Sequence, residues 1–259
     1  MPEGDAVHRT AARLRGALDG RTLTRSDFRV PRHATADLTS RAVITTLSRG
    51  KHLLTRVEGG LTVHTHLRMD GSWLVTPAGR RTAPGDRVRL ILANAEWQAV
   101  GVRLGMVDLV RTDDEARLVG HLGPDLLGAD WDPEEAVRRL RAEPGRTIGE
   151  ALLDQRNLAG IGTIYRAETL FLRGVWPWKK VGEIEDLDGL VALAQRLLDA
   201  NKGLAGTVTT GDRRPGNATW VYGRAGRPCR RCGTRISRGE MGMRPQERLI
   251  LWCAGCQPR

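Results

Sequence analysis

The sequence predicts an α+β fold in which an antiparallel β-sandwich is followed by helices and a cysteine-rich hairpin. Three observations predict it: short β-rich runs between Val43 and Val110, a change to helical patterns after Asp130, and four cysteines confined to residues 229–256. The 259 residues suffice for one large domain or two smaller ones, each with a buried core.

A helix is predicted near the start of the chain. From Ala6 to Leu18 apolar residues recur at helical spacing, and Gly20 is a typical stop signal. The runs VITTL, HLLTRV, LTVHTHL, SWLVT, VRLILA and WQAVGVRL then follow, separated by turn signals such as GG and DG. These short runs predict the antiparallel sandwich.

Helical patterns replace the β-rich runs after residue 130. Asp132 is a good N-cap for EEAVRRLRA, and Thr147 with Glu150 predicts a capping box before ALLDQ. A further helix is predicted over Ile184–Ala200, with one apolar face that belongs to the core. Residues 203–218 are rich in Gly, Thr and Arg without periodicity, which predicts a mobile loop.

The cysteines form a C-x2-C pair, a spacer of 20 residues and a second C-x2-C pair. Two such pairs supply the four thiolates that tetrahedral zinc prefers, whereas two disulfides are the alternative. A reducing cytosol disfavours the disulfides, and four protein ligands leave no open position for chemistry. We therefore expect one structural Zn²⁺, held by Cys229, Cys232, Cys253 and Cys256.

The segment between the two cysteine pairs predicts a β-hairpin. Its first strand is predicted at Arg235–Ser237, its loop around Gly239 and Gly242, and its second strand at Arg248–Trp252. Zinc would thus present a basic hairpin.

The chain is strongly basic, with 41 Lys and Arg against 30 Asp and Glu and a net charge of +11. Such a charge suits a polyanion partner, although a merely solvated basic surface remains open. The charged N-terminus MPEGDAVHRTAARL does not read as a signal peptide, and no long apolar run suggests a membrane span. We expect a soluble monomer in the bacterial cytosol, without a membrane partner.

Several separated segments together resemble the formamidopyrimidine-DNA glycosylase and endonuclease VIII family. They are PEG at residues 2–4, RGKHLL at 49–54, HLRMDGSW at 66–73, LGPDLL at 122–127, LLDQRNLAGIGTIYRAE at 152–168 and VYGRAGRPCRRCGTRI at 221–236. The resemblance implies two lobes, with a helix-two-turn-helix in the second. The implied domains are a β-sandwich catalytic lobe (1–112), a linker (113–131), a helix-two-turn-helix DNA-binding domain (132–219) and a zinc finger hairpin (220–258).

The resemblance also implies a bifunctional DNA glycosylase and lyase of base excision repair. After removal of Met1, the amine of Pro2 would attack C1′ of the damaged nucleotide, and β,δ-elimination would follow through an iminium. Glu3 would protonate the sugar ring oxygen, while Lys51 would contact phosphate and assist elimination. On residue type alone, each of the three reads as an ordinary terminal or surface residue.

The partner implied is damaged double-stranded DNA. Arg248 would bind phosphates on the zinc hairpin and aid δ-elimination, and Met69 would fill the gap left by the flipped nucleotide. The remaining DNA contacts are expected at Arg103, Leu104, His121, Asn157, Thr163 and Arg224.

Three positions depart from the family's pattern. Thr163 stands in place of an Asn, Leu104 in place of a common aromatic, and Ala6 in place of an acid. The PEGD start and the missing acid resemble the endonuclease VIII branch, which implies oxidised pyrimidines as substrates. The loop at residues 203–218 is expected to help form the base pocket.

Two other functions remain open from the sequence: a damaged-DNA-binding protein that has lost turnover, and an RNA-binding ribbon protein. His64 and His66 alternate on one strand face, and we interpret them as hydrogen-bonded or core histidines, because no third metal ligand is evident.

Overall fold

The computed structural model describes residues 2–80 and 85–259. The chain divides into two compact units. The first comprises Pro2 and residues 6–121, and the second comprises residues 3–5 and 122–259. In the described part of the chain, no helix is long and apolar enough to cross a membrane.

The first unit is an antiparallel β-sandwich with a flanking helix, as predicted. Helix α1 spans Gly4–Leu18, and its apolar face, which includes Val7, Ala11 and Leu14, is buried. The strands are β1 (Arg25–Phe28), β2 (Val43–Arg49), β3 (His52–Val57), β4 (Leu61–His66), β5 (Ser72–Pro77), β6 (Val88–Ala93), β7 (Trp97–Val102) and β8 (Met106–Arg111).

These strands form two four-stranded sheets of order β1-β6-β7-β5 and β2-β3-β4-β8. Both sheets and α1 bury side chains in one core, to which Leu14, Leu53, Trp73 and Leu92 belong. Strand β1 has the sequence RSDF, which carries no β-rich signal, and it exists because its backbone pairs with β6. A short helix, α2 (Ala116–Val119), lies near the end of this unit.

The second unit begins with helices α3 (Pro133–Arg141), α4 (Ile148–Ala151), α5 (Thr163–Leu172) and α6 (Leu187–Asn201). The Asp132 carboxylate accepts a hydrogen bond from the Glu135 N–H at 3.0 Å, which confirms the predicted N-cap of α3. The capping box predicted at Thr147 is wrong. The Thr147 hydroxyl donates to the Glu150 carboxylate, so the two side chains bond each other and not the helix backbone.

Helix α6 buries the apolar face that its spacing predicted. Leu187, Leu190, Val191, Ala194 and Leu198 lie in the core of this unit. The helix begins three residues later than predicted, because the Asp186 carboxylate accepts from the Gly189 N–H at 2.8 Å and caps it.

The loop at residues 203–218 has no helix or strand of its own. Its backbone closes on itself where the Thr209 N–H donates to the Ala218 carbonyl at 2.7 Å. Asn217 also donates to the Asp212 carboxylate at 2.8 Å. The mobility expected for this loop stays a prediction.

The chain ends in an antiparallel hairpin of β9 (Ser237–Met241) and β10 (Arg248–Trp252). The predicted second strand is confirmed, whereas Gly239 lies in a strand and not in the loop, opposite Ile250. A Cβ at Gly239 would lie 3.2 Å from the Trp252 ring, so the absent side chain makes room for that ring.

Candidate functional site

The N-terminus of α5 binds a carboxylate that comes from the start of the chain. Glu3 is 1% exposed, and its oxygens accept hydrogen bonds from the N–H groups of Gly162 at 2.8 Å, Ile164 at 2.7 Å and Tyr165 at 3.3 Å. The first N–H groups of a helix lack partners within the helix and carry partial positive charge. Glu3 therefore takes the place of an N-cap side chain, which Gly162 cannot supply.

Glycine is required at this approach. A Cβ on Gly162 would lie 2.4 Å from the Glu3 carboxyl carbon, and the Gly4 N–H donates to the Gly160 carbonyl at 2.8 Å. Gly160 has a φ of 103°, in the region that favours glycine. The sequence AGIG at residues 159–162 thus allows the backbone to come close enough for its N–H groups to bond both carboxylate oxygens of Glu3.

Pro2 directly precedes Glu3 and is partly exposed. Met1 lies outside the described residues, so its removal stays a prediction. Lys51 occupies the two-residue turn between β2 and β3, where Arg49 pairs with His52 and Gly50 has a φ of 56°. The tight turn fixes the backbone of Lys51, and its side chain is half-buried.

A cluster of imidazoles follows that turn. His52 Nδ1 and His64 Nε2 lie 2.8 Å apart, His64 Nδ1 lies 3.4 Å from an Asp108 oxygen, and His52 meets His66 edge to face. Burial, with the nearby charges of His66 and His64, lowers the pKa of His52 to about 3, and burial lowers that of His66 to about 4. Near neutral pH these rings are uncharged. The interpretation of His64 and His66 as hydrogen-bonded histidines is confirmed.

Two turns carry the residues expected to enter the DNA. Met69 is 63% exposed at the turn between β4 and β5, where the Arg68 N–H donates to His66 Nδ1 at 2.9 Å. Arg103 is exposed at the turn between β7 and β8, with a φ of 49°. Leu104 differs from the expectation. It is 6% exposed and packs in the sandwich core, so its side chain is not available at the surface.

Three of the other expected DNA contacts are engaged within the protein. The Asn157 amide donates to the Ala151 carbonyl at 2.9 Å, and Thr163 is buried as the first residue of α5. The Arg224 guanidinium donates to the carbonyls of Trp220 at 2.6 Å and Pro228 at 2.8 Å. These bonds support the cysteine-rich segment, and the DNA contact expected at Arg224 stays a prediction. His121 is exposed.

The four cysteines converge as their spacing predicted, with all four Sγ atoms within 4.8 Å of one another. The nearest pair, Cys232 and Cys253, lies at 3.4 Å, well beyond a disulfide bond. Burial raises the pKa of the Cys253 and Cys256 thiols, whereas hydrogen bonds from Thr234 lower that of Cys232 to about 6. A bound cation would deprotonate all four sulfurs, so this donor set fits a tetrahedral metal ion.

Arg248 begins β10 and is exposed, with its guanidinium bonded to the carbonyls of Gln246 and Glu247 at 3.1 and 3.2 Å. The backbone of the next residue, Leu249, is bonded to a side chain of α5. Arg166 on α5 is fully buried and donates to the Leu249 carbonyl at 2.5 Å and to the Gly149 carbonyl at 3.2 Å. Burial lowers the pKa of Arg166 to about 10, which leaves it charged at neutral pH.

Arg166 is a residue that the sequence analysis missed. The available signal was a charged residue within the otherwise apolar stretch TIYRAETLFL, on a helix too buried to solvate it. Glu168, in the same apolar stretch, was also missed, and the same signal was available for it.

The chain combines four features: a β-sandwich, a helical unit after it, a carboxylate from the chain start bound at a helix N-terminus, and a four-cysteine hairpin. Two family models match this chain: the formamidopyrimidine-DNA glycosylase N-terminal domain over residues 1–112, and the H2TH domain of the same glycosylase over residues 122–201. The chain belongs to the formamidopyrimidine-DNA glycosylase and endonuclease VIII family.

Relatives match along nearly their whole length. A Streptomyces coelicolor protein named probable endonuclease 8 2 is 57% identical over 99% of this chain and 94% of its own. A Mycolicibacterium smegmatis protein named DNA-(apurinic or apyrimidinic site) lyase Nei2 is 46% identical over 99% of each chain. The solved complex of Lactococcus lactis Fpg with DNA containing an abasic site matches with a TM-score of 0.83 and 24% identity, over 99% of this chain and 100% of that one.

Proposed function

We propose that this protein is a bifunctional DNA glycosylase and abasic-site lyase of base excision repair, with damaged double-stranded DNA as its substrate. One observation carries the proposal. The residue directly after Pro2 is a buried glutamate whose carboxylate is bound by the N-terminus of α5, in a chain of this family. The relatives' names, endonuclease 8 and abasic-site lyase, support the same activity.

The chemistry starts from the secondary amine of Pro2, which is free once Met1 is removed. Its nitrogen forms a bond to C1′ of the damaged nucleotide as the bond from C1′ to the base breaks. Loss of the amine proton and opening of the sugar ring then give an iminium. The iminium withdraws electrons from C2′, so a C2′ proton is lost and the 3′ phosphate leaves. Water finally hydrolyses the linkage and restores the amine.

Glu3 suits the opening of the sugar ring. One of its oxygens accepts from the N–H groups of Gly162 and Tyr165, and the other accepts from that of Ile164. We propose that the Glu3 carboxyl passes a proton to the ring oxygen while the backbone N–H groups of α5 hold its orientation. A carboxyl held in this way keeps its orientation while it gains and loses a proton.

The cysteine hairpin would hold one structural Zn²⁺. Four thiolates fill the tetrahedral preference of zinc, so the ion supplies folding energy and takes no part in the reaction. Its purpose would be to hold β9 and β10 so that the exposed Arg248 can bind DNA phosphate. Lys51 and Met69, both on turns of the sandwich unit, are proposed as a phosphate contact and as the side chain that replaces the flipped nucleotide.

Oxidised pyrimidines are the proposed lesions. The support comes from the PEGD start, from Ala6 in place of an acid, and from relatives named endonuclease 8 at 57% and 49% identity.

The proposal is tested with duplexes that contain thymine glycol, 8-oxoguanine or a preformed abasic site. We expect base release and strand cleavage on thymine glycol, faster than on 8-oxoguanine, and cleavage at the abasic site without prior base release. Tight binding to all three duplexes without base release or cleavage would instead identify a damaged-DNA-binding protein. A preference for 8-oxoguanine would support the glycosylase and lyase activity and overturn only the proposal that oxidised pyrimidines are the preferred lesions.

A further inference from the structure

Glu168 is a fully buried carboxylate on α5 that the proposed chemistry does not use. Its Oε1 accepts hydrogen bonds from the N–H groups of Val221 and Tyr222, both at 2.8 Å. Its Oε2 accepts from the Trp220 N–H, also at 2.8 Å, and from the Thr209 hydroxyl. Four donors thus converge on one buried carboxylate, and these four hydrogen bonds offset the cost of removing it from water.

Three of these donors are successive backbone N–H groups, which together form a concave anion-binding turn. The carbonyl side of the same turn is held separately, because the Arg224 guanidinium donates to the Trp220 carbonyl at 2.6 Å. The turn is therefore fixed between a carboxylate on one side and a guanidinium on the other. It lies seven residues before Cys229, the first residue of the cysteine cluster.

The fourth donor connects this turn to the loop at residues 203–218. Thr209 belongs to the loop, and its carbonyl accepts from the Trp220 indole N–H at 3.2 Å. The Trp220 ring stacks on Phe171 of α5, with 5.7 Å between ring centroids. From the cysteine side, Arg230 donates to the Gly216 carbonyl at 2.6 Å. Glu168 is the point at which α5, the loop and the turn before the cysteines meet.

We propose that Glu168 is a positioning residue for damaged-base recognition: it locks the loop at residues 203–218 to the helix whose N-terminus holds Glu3. The inference rests on the proposed function. The loop exposes Arg213 and is long enough to contact a base, and binding residues concentrate on loops that a rigid scaffold positions. Glu3 binds the first turn of α5 and Glu168 follows one turn later, so one helix sets both elements.

An abasic site lacks the base that the loop would recognise. Misplacing the loop should therefore slow base release while sparing cleavage at a preformed abasic site. A purely structural role would slow both reactions together, so the ratio of the two rates distinguishes the explanations.

The test compares Glu168→Gln and Thr209→Val with the wild type under single-turnover conditions. Glutamine keeps the size of the side chain but turns an N–H₂ group toward N–H or O–H donors. Valine removes the Thr209 hydroxyl, and with it the bond to Glu168 and a longer bond to the Ala218 carbonyl at 3.4 Å. We expect base release from thymine glycol to fall about tenfold or more in both variants, with abasic-site cleavage within about threefold of wild type.

Glu134→Gln, an exposed glutamate of α3, is the matched control and should leave both rates unchanged. Zinc content and the melting temperature are measured for every variant. If Glu168→Gln does not fold, Thr209→Val decides the test, because it leaves the carboxylate and its three N–H donors in place.

An equal fall of both rates in Thr209→Val, or no fall in either, overturns the positioning role. Failure of the proposed function is a separate result: the wild type itself would then leave both the thymine glycol and the abasic duplex intact.

Discussion

The two units bury polar groups in different ways. The sandwich unit buries imidazoles, and burial lowers the pKa of His52 to about 3 and that of His66 to about 4, so both are neutral at physiological pH. The helical unit buries full charges on or against α5, namely Glu3, Arg166 and Glu168, and bonds them to backbone groups. The imidazoles of the sandwich unit are thus uncharged, although Glu115 is also buried there and pairs with Arg56 at 2.7 Å, whereas the helical unit bonds its buried charges to backbone groups.

That use of charge connects segments that are far apart in the sequence. Through α5, residue 3 contacts residues 162–165, Arg166 contacts Leu249, and Glu168 contacts residues 220–222. A buried charge that loses its partner is costly, so each connection strongly favours one arrangement. We infer that the helical unit orients the reacting groups, and that the sandwich unit supplies a stable scaffold for exposed turns.

Metal removal should show the largest difference between the units. Chelation, or Cys253→Ser, should disorder the hairpin, because binding of a structural metal supplies much of the folding free energy of such a module. We expect zinc content to fall to zero and DNA affinity to fall about a hundredfold or more, since Arg248 loses its fixed position. Hydrogen exchange checks the comparison: protection should disappear in β9 and β10 and persist in β2–β8. Equal loss of protection in the sandwich strands would contradict it.

Glu3→Gln tests the charge that α5 binds. The amide cannot accept from three N–H groups as the carboxylate does, so the free energy of unfolding should fall by about 1–3 kcal/mol. Base release should fall about a hundredfold, because the amide has no acidic proton to give to the sugar. Denaturant unfolding and single-turnover kinetics measure the two effects, with Glu134→Gln as the exposed control. Retention of full base release would exclude Glu3 as the acid.

Arg248→Ala should have a moderate effect confined to DNA binding. Removing one phosphate contact should change the slope of log K against log salt by about 0.9, with no change in melting temperature. Titrations at several salt concentrations measure that slope, and Arg238→Ala, on the facing strand, shows how much any exposed arginine of the hairpin contributes. An unchanged slope would remove Arg248 from the DNA interface.

The smallest effect concerns the neutral histidines of the sandwich. The folded pKa of His52, about 3, lies below its ordinary value of 6.5, so between these values the unfolded chain binds more protons. The free energy of unfolding should therefore be highest above about pH 6.5 and decrease as the pH falls toward 4. His52→Gln should flatten this dependence by up to about 1 kcal/mol per pH unit. Parallel pH profiles for wild type and His52→Gln would contradict the assignment.

The sequence predicted what local pattern determines. Periodicity located α1, the strands β2–β7, α3 and α6, and spacing located the cysteine cluster. Strand β1 was missed because its pairing with β6 is nonlocal, and the capping box at Thr147 failed because two side chains bonded each other. The domain limits stay predictions.

The site was predictable only where a motif marked it. Resemblance singled out Pro2, Glu3, Lys51 and Arg248, whereas the partners of Glu3, 159 and more residues away in sequence, required the structure. The burial of Leu104 and the internal bonds of Arg224 depend on tertiary packing, which no local pattern records. The sequence did not single out Arg166 and Glu168, because a buried charge is identified by the partners that stabilise it, and these include partners that lie 83 and 53 residues away in the sequence.

Borohydride reduction tests the central claim, that the amine of Pro2 is the nucleophile. The Met1-processed protein is mixed with duplex containing thymine glycol or an abasic site, reduced, digested and mapped by mass spectrometry. The account predicts a covalent adduct on the peptide that begins at Pro2, and none when Met1 is retained. An adduct on a lysine such as Lys51, or no adduct with either duplex, would contradict it.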